Sequence, residues 1–562
     1  MKKLTKNAKL ILRKYLVRDR NCNIIENFED MFKRVSKNIA DIDKKYEGFK
    51  SSEKSREEFF EIISNLEFLP NIPVLANAGN SLQQLAACFV LPVKDSLEEI
   101  FESLKNMAII QKSGGGTGFS FSDLRPEGSI VRDTGGVASG PVSFIKVFDA
   151  ATGAIKEGGI RRGANMGILR VDHPDIKKFI EAKKCGGLEN FNLSVSITDN
   201  FMKSLKENKK FDLIDPRTKK IVKKESAKKI FDLICENAYK NGEPGVIFID
   251  TINRYNPILN EKIEATNPCA EMPLLPYESC ILGTINLVSV SSEKGIDYKK
   301  LEKIVRTSVH FLDNAIDACK FPLKEIEKKV KENRKIGLGV MGFADSLIIR
   351  KIPYNSERAI EEAEKIMCFI NKIAHEESEN LAKTRGSFPN INNSIFKGKK
   401  MRNATLTTIA PAGTIGIIAN CSQGIEPIFN VVFERYTTNK ILLEFNPFFK
   451  KISKEYKLTN KEISDIAEKG TLKYSRLPDQ IKKIFVCAHD VSSEYHVKIQ
   501  AAFQKYTDNA VSKTVNLPEN AKIEDVKKTF LLAYELKCKG ITVYRDKSRE
   551  MQVLRLCKCK LN

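Results

Sequence analysis

Tryptophan is absent from this chain of 562 residues, and histidine occurs only five times. No apolar run approaches the roughly 18–20 residues of a membrane span, which excludes a helical membrane anchor. The opening MKKLTKNAKLILRKYLVRD starts on lysines but returns to charge before an apolar stretch can form, so no secretory signal is expected. No internal repeat and no low-complexity linker is found, which excludes a solenoid or a string of tethered modules. Acidic residues are in deficit, 71 Asp and Glu against 93 Lys and Arg, for a net charge of +22. That excess reads in three ways: a nucleic-acid binder, a field attracting small polyanions such as nucleotides, or a solvated lysine-rich surface. The lysines are dispersed instead of forming one basic tail, and with no tryptophan this favours the solvated surface, with no nucleic-acid partner. Thirteen cysteines in a chain with no export signal point to a reducing cytoplasm, not to structural disulfides. Cys22, Cys185, Cys235, Cys319 and Cys368 are expected to be buried and inert.

At 63.4 kDa, with 42% hydrophobic and 29% charged residues, the chain is a globular protein able to bury a large core. FEDMFKRVSKNIADI and SREEFFEIISNLEF carry apolar residues at helical spacing, so residues 1–72 are expected as a small helical domain. From NIPVLANAG onward, short apolar runs (ACFVLPV, GFSFSDL, FNLSVSI, GVIFID, KIGLGVMGF, KGITVYRD) alternate with long helical stretches. This alternation predicts an α/β fold, plausibly a barrel, over residues 73–545. Residues 546–562 read as a flexible tail.

The chemistry concentrates in residues 266–287, TNPCAEMPLLPYESCILGTINL. Asn267, Cys269 and Glu271 alternate, so in extended backbone all three side chains project from one face. Pro268 and Pro273 stiffen the flanks. An amide, a thiol and a carboxylate on a stiff loop suit a buried reaction centre, although an ordinary Pro-rich loop with an incidental cysteine fits N-x-C-x-E as well. The turn Pro411-Ala412-Gly413-Thr414-Ile415-Gly416 offers backbone N–H groups and a hydroxyl to a phosphate, or is a tight structural turn.

The segment 266–287 resembles the active-site finger loop of ribonucleotide reductases, N-P-C-G-E…E-x-C-N-L-G-S-I-N-L. LAACFVLPVKDS resembles the strand that carries the family's N-terminal redox cysteine. QKSGGGTGFSFSDLRPEG and TGGVASGPVSFIKVFDAATGAIKEGGIRRGANMGI resemble segments around its specificity loops. TLTTIAPAGTIGIIANCSQGIEPIF resembles its phosphate-binding turn, and FQKYTDNAVSKTVNLP with KGITVYRDKSRE its last barrel strands. The resemblance runs from about residue 5 to about residue 555 and implies a ten-stranded α/β barrel with a central finger loop behind the helical domain.

It also implies roles. Cys269 is the thiyl radical that removes the ribose 3′ hydrogen, Glu271 the general base on the 3′-hydroxyl, and Asn267 a hold on the ribose oxygens. Cys88 and Cys280 protonate the departing 2′-hydroxyl, supply two electrons and end as a disulfide. Residues 411–416 bind substrate phosphates, with Ala412 and Gly416 in place of the usual Thr and Ser. Asp95, Lys112, Lys156, Arg161 and Arg162 match positions around the dNTP or ATP effector. Ala270, Ile281 and Val74 stand where Gly, Asn and Thr are usual. A terminal pair, Cys557 and Cys559, matches the family's shuttle to a thioredoxin-like reductant, or is a frayed end; as half of a zinc site it lacks a second Cys/His pair, and no metal is expected.

The resemblance leaves the radical generator to be decided. The glycyl-radical type needs a C-terminal R-V-x-G-Y-like segment, which is absent. The diiron type needs adjacent tyrosines near the last strand and a small partner subunit, whereas GITVYRD has the single Tyr544. The adenosylcobalamin type remains; no D-x-H-x-x-G surrounds a histidine, and that type binds cobalamin without a histidine ligand. Likeness to the longer cobalamin enzymes favours diphosphate substrates, and relatives with effector loops at a subunit interface point to a homodimer. An N-terminal activity-regulating domain would need about ninety further residues and is not expected.

Overall fold

The structure, a computed structural model, describes residues 1–131, 135–157, 161–184, 186–436, 441–549 and 554–556. At Lys156, Glu157, Arg161, Arg162, Tyr436, Leu554 and Arg555 it describes the backbone alone. The chain opens with helices α1 (Lys6–Leu12), α2 (Phe28–Ala40) and α3 (Phe49–Ser64). Asn27 starts α2 by accepting from the Glu29 and Asp30 amides, with Asp30 capping back, so orphan N–H groups are satisfied at both ends of the box. Met31, Phe32, Val35 and Ile39 then fall on one buried face, as the spacing predicts. The helices are locked to the rest by buried charge: Arg385 reaches Asp43 at 2.6 Å, with both side chains fully shielded from solvent.

The strand β1 (Phe68–Pro70) follows, then β2 (Cys88–Leu91), β3 (Gly116–Ser120), β4 (Asn165–Arg170), β5 (Phe191–Ile197) and β6 (Gly245–Phe248). A hairpin of β7 (Ala265–Thr266) and β8 (Pro273–Leu274) precedes β9 (Ser279–Asn286) and β10 (Ile336–Met341). Further on come β11 (Val432–Tyr436), β12 (Ile441–Phe445), β13 (Thr514–Leu517), β14 (Gly540–Arg545) and β15 (Leu554–Leu556). NIPVLANAG opens as a short helix, Ile72–Asn77, because Asn71 caps it and Pro73 sits in its first turn.

The expected barrel forms from two parallel halves. β2, β3, β4, β5 and β6 pair in parallel in that order. β9 and β10, the segment 406–409, and β13 and β14 make the second half, all in parallel. The halves meet antiparallel at β6–β14 and at β9–β2. The segment 406–409 closes the ring: Leu338 N donates to Leu406 O at 2.7 Å and Ile409 N to Ala510 O at 3.1 Å. Strands covered by helices on one side and filled on the other read as near-continuous apolar runs, which is why GVIF, FNLSVSI and IGLGVM were legible. Phe119, Phe121, Phe148 and Phe191 pack edge to face and tilted outside the first half. A buried pair, Lys335 Nζ to Glu278 Oε2 at 2.6 Å, sets the start of β9 against the start of β10. No described helix is long and apolar enough to cross a membrane.

Two expectations about cysteines are corrected. Cys22 and Cys368 are exposed, not buried. Cys22 sits in the left-handed region, φ 65°, in a surface turn built by the Asp19 side chain, and Cys368 lies on the outer face of the helix Glu357–Arg385. Cys235 and Cys319 are buried as expected; Cys185 lies outside the described residues. The tail read as flexible is tied down at two described places. Arg549 pairs with Glu243 at 2.7 Å, and β15 adds to the edge of β11.

Candidate active site

The hairpin β7/β8 runs through the barrel as a finger. Its ladder is short (Ala265 opposite Leu274, Thr266 opposite Pro273), and residues 267–272 turn at its tip. The extended alternation expected for 267–271 is therefore not what the backbone does. Asn267 N donates to Met272 O at 3.1 Å, Met272 N returns to Asn267 Oδ1 at 2.9 Å, and Ala270 N reaches Asn267 O at 3.0 Å. Ala270 takes φ 60°, the left-handed conformation glycine adopts most easily, which accounts for the Gly usual at this position. The turn sorts the three side chains. Asn267 and Glu271 are buried at 1% and 3% exposure, and Cys269 at the apex is exposed.

The barrel grips this tip by its backbone. Thr408 Oγ1 and Ala510 N both donate to Glu271 O, at 2.8 and 2.9 Å, and Asn192 Nδ2 donates to Pro268 O at 2.9 Å. The finger lies so close to β3 that a Cβ at Gly118 would stand 1.7 Å from Thr266 O. The glycine-rich GGGTGFSF run thus makes room for the finger.

Cys88 and Cys280 are far apart in sequence but directly opposite in the antiparallel β2–β9 pair. Opposite residues in such a pair hold their Cα atoms about 4.5–5.5 Å apart, inside the range a disulfide spans. Asn267 Nδ2 donates to Cys88 Sγ at 3.1 Å, and Cys88 Sγ stands 3.9 Å from Glu271 Oε1. Glu271 Oε2 is buried with no hydrogen-bond partner among the described residues. Burial raises the Glu271 carboxyl to about 7. Burial, and then the Glu271 charge, push the Cys88 and Cys280 thiols well above their ordinary range. Both sulfurs are therefore protonated thiols at neutral pH. Cys269 is close enough for its charge to raise Cys88 further.

Cys269 opens into a cavity of about 850 Å³, near the upper end for small-molecule sites. Asn192 and Ser194 of β5, Pro411 and Gly416 of the glycine turn, and Thr542 of β14 lie on its walls. The glycine turn caps the seven-residue helix Gly413–Ala419, with Ala412 at φ 55°. Its residues do not all face the cavity: Ile415 is buried among apolar neighbours, and Gly413 and Thr414 are half-buried.

Sequence reasoning passed over two cavity residues, Glu426 and Lys513. They lie 87 positions apart and form a buried-side ion pair. The only signal was an acid inside GIEPIF and a lysine inside AVSKTVNLP, neither of which marks a site by spacing.

The effector positions lie away from the finger in the chain. Both carboxylate oxygens of Asp95 are engaged by Arg125: its Nε stands 3.1 Å from Oδ1 and 2.9 Å from Oδ2, and its backbone N donates to Oδ1 at 3.0 Å. Lys112 is exposed in the last turn of the helix Leu97–Lys112. Lys156 and Arg162 pair by backbone in a small hairpin, as do Glu157 and Arg161; their side chains lie outside the description. Cys557 and Cys559 lie outside the described residues, directly after β15.

Comparison with known proteins agrees with this geometry. The family model "Ribonucleotide reductase, all-alpha domain" matches residues 2–83, and "Ribonucleotide reductase, barrel domain" matches residues 86–401 and 396–544. A Thermoplasma acidophilum protein named vitamin B12-dependent ribonucleoside-diphosphate reductase is 48% identical, covering 98% of this chain and 80% of its own length. A Mycobacterium tuberculosis protein of the same name is 44% identical, covering 98% and 81%. Among solved structures, the alpha subunit of an Actinobacillus ureae class Id ribonucleotide reductase superposes with a TM-score of 0.80 over 97% of both chains, at 23% identity, a likeness of fold. With both family domains matched in order across nearly all of its length, this chain belongs to the ribonucleotide reductase large-chain family.

Proposed function

We propose that this chain reduces ribonucleoside diphosphates to 2′-deoxyribonucleotides by thiyl-radical chemistry, with adenosylcobalamin as its radical generator. One observation carries the reading: two buried thiols face each other across strands beside a buried amide and carboxylate, and the same loop presents a third thiol to a large cavity. The two relatives above support the cofactor, since each is named vitamin B12-dependent. So does the single Tyr544 where the diiron type carries adjacent tyrosines.

The cavity offers the cofactor a mixed polar and apolar wall and an open side, with Cys269 at its edge. Asn192, Ser194 and Thr542 are polar groups on the wall that could hold it. When bound, adenosylcobalamin supplies the oxidising equivalent that turns the Cys269 thiol into a thiyl radical. Cys269 Sγ then removes the 3′ hydrogen of the ribose. Glu271 takes the 3′-hydroxyl proton, its unpartnered Oε2 being available to it. The 2′-hydroxyl leaves as water with a proton from the Cys88–Cys280 pair. Two electrons and the remaining proton from the pair reduce C2′, so the two thiols end as a disulfide, while Glu271 returns its proton to O3′ and Cys269 its hydrogen to C3′. Asn267 holds the ribose oxygens and fixes the Cys88 sulfur. Residues 411–416 receive the phosphates, Ala412 and Gly416 leaving that work to backbone donors and Thr414.

The test is anaerobic turnover of the isolated chain on each ribonucleotide, with and without adenosylcobalamin. Deoxynucleotide formed only with the cofactor, and without a second protein, supports the reading. Turnover that needs a metal-bearing small subunit supports the diiron alternative.

The pH dependence follows from Glu271. The base is its ionised form, and burial raises its pKa to about 7, so kcat should rise through about pH 7 and fall about tenfold per unit below it. Glu271→Gln should lower kcat by roughly 10²–10⁴-fold and remove that limb. A rate profile whose limb near 7 survives in the variant assigns the titration elsewhere.

Regulation is part of the proposal: dNTP or ATP effectors bound near Asp95, Lys112, Lys156 and Arg161, a homodimer, a cytoplasmic setting, and a thioredoxin-like reductant served by Cys557 and Cys559. β15, which precedes those cysteines in the chain, pairs with β11, whose Phe433 and Arg435 border the cavity. Asp95→Ala frees the part-buried Arg125 and should weaken effector binding roughly 10–100-fold, the worth of a charge-assisted hydrogen bond. Equilibrium dialysis of dNTPs checks it, and unchanged affinity moves the effector site elsewhere.

A further inference from the structure

The wall of the cavity beside the glycine turn contains a charge cluster that the steps above leave unused. Glu426 follows Gly424, whose backbone lies against Pro411. Its Oε1 accepts from Thr514 N at 2.8 Å, and its Oε2 from Lys513 Nζ. Lys513 is spent entirely within the protein. Its ammonium donates to Glu426, to His496 Nδ1 at 2.9 Å and to Thr514 O at 3.3 Å, and its side chain is fully shielded from solvent. His496 is itself buried, its Nε2 facing Ala488 O at 3.3 Å, so it presents Nδ1 as a neutral acceptor.

Only Glu426 faces outward, its side chain 24% exposed on a cavity wall. A carboxylate offers about four lone-pair directions, and two are filled here. Among the described residues nothing else takes the others. The charge is compensated from behind and the orientation is held at both oxygens. An acceptor built this way takes an N–H or O–H donor and repels phosphate. The substrate's phosphates belong to the adjoining turn and its ribose hydroxyls to Asn267 and Glu271. The remaining donors are the N–H groups of the substrate's base and those of the second occupant.

Resting on the cobalamin reading above, we infer that Glu426, braced by Lys513 and His496, is an anchoring subsite for the cofactor. It accepts a hydrogen bond from a donor of the cofactor: a corrin side-chain amide or a hydroxyl or amine of the adenosyl group. Glu426 positions the cofactor and takes no part in bond making.

Equilibrium dialysis of the full chain against adenosylcobalamin and hydroxocobalamin, read by their visible absorption, tests this without turnover. Glu426→Gln keeps the shape but removes the charge. It should weaken cobalamin binding about tenfold or more, as loss of a charge-assisted hydrogen bond does, and leave binding of the substrate diphosphate alone unchanged. A loss seen with both cobalamins places the donor on the corrin amides; a loss confined to adenosylcobalamin places it on the adenosyl group. Wild-type affinity for both, or a loss confined to the nucleotide, overturns the inference. Cobalamin whose side-chain amides are hydrolysed one at a time keeps the wild-type chain as a second probe should the variant not fold. If no hydrolysed derivative and no removal of the adenosyl group lowers affinity, the inference falls. A wild-type chain that binds neither cobalamin sinks the cofactor reading itself, which no result with the variant alone does.

Discussion

Cys269→Ser should form no deoxynucleotide in multiple turnover, a loss on the order of 10⁴-fold or more. The hydroxyl that replaces the thiol holds its hydrogen too tightly to become the abstracting radical. The fold should not notice. The tip is held by Asn267 with Met272, by Thr408 and Ala510 on Glu271 O, and by Asn192 on Pro268 O, none of which involves the sulfur. Because the side chain stands exposed at the cavity edge, losing one sulfur opens no void in the core. Thermal unfolding and the dialysis affinities for nucleotide and cobalamin should match wild type. The decisive measurement is product per chain over many equivalents of substrate. Sustained turnover by a variant verified by mass would remove Cys269 from the chemistry.

Much of this was legible because the barrel writes itself locally. Strands shielded on both sides are short apolar runs, and helices such as Phe28–Ala40 show one buried stripe. The segment 406–409 also reads as an apolar run, within TLTTIAPAGTIGIIA, but it closes the ring through isolated bridges, so nothing in the run marks where pairing starts and stops. The finger was legible in residue types and misread in shape. Alternation of Asn267, Cys269 and Glu271 reads as an extended strand, but Asn267 bonds Met272 on both sides and Ala270 turns left-handed, so the loop reverses. The same three groups still converge, with Cys269 on the cavity side and the other two on the side of Cys88.

What sequence could not supply is pairing across distance. Nothing local says that Arg125 fills both oxygens of Asp95, or that Lys513 stands behind Glu426. Such pairs depend on which loops the barrel brings to one end. Exposure of single residues is equally hard to read: Cys22 and Cys319 were both expected to be buried, yet one sits in a surface turn and the other accepts from Leu85 N at 3.2 Å in the core.

The Cys88–Cys280 pair carries the other large effect. With Cys557 and Cys559 replaced by serine and no external reductant, one turnover should convert both thiols to a disulfide and stop, yielding about one deoxynucleotide per chain. The strands already place the two residues opposite each other, so the bridge should need little backbone movement. Thiol labelling before and after a single turnover, followed by peptide mapping, should show both sites lost together. Cys88→Ser and Cys280→Ser should each abolish catalytic turnover. Neither should unfold the chain, since each swap is nearly isosteric. Burial also governs how the disulfide is reopened. Both sulfurs are held as thiols well above their usual range, and Cys280 is fully shielded from solvent. Exchange starts with an attacking thiolate that must reach a sulfur, and Cys88 at 7% exposure is the more accessible of the two. Reduction should therefore begin at Cys88, leaving Cys280 as the first thiol released, and a Cys280→Ser chain should accumulate a mixed disulfide on Cys88 when offered a small linear disulfide. Two free thiols after a full equivalent of product has formed would show that the electrons come from elsewhere.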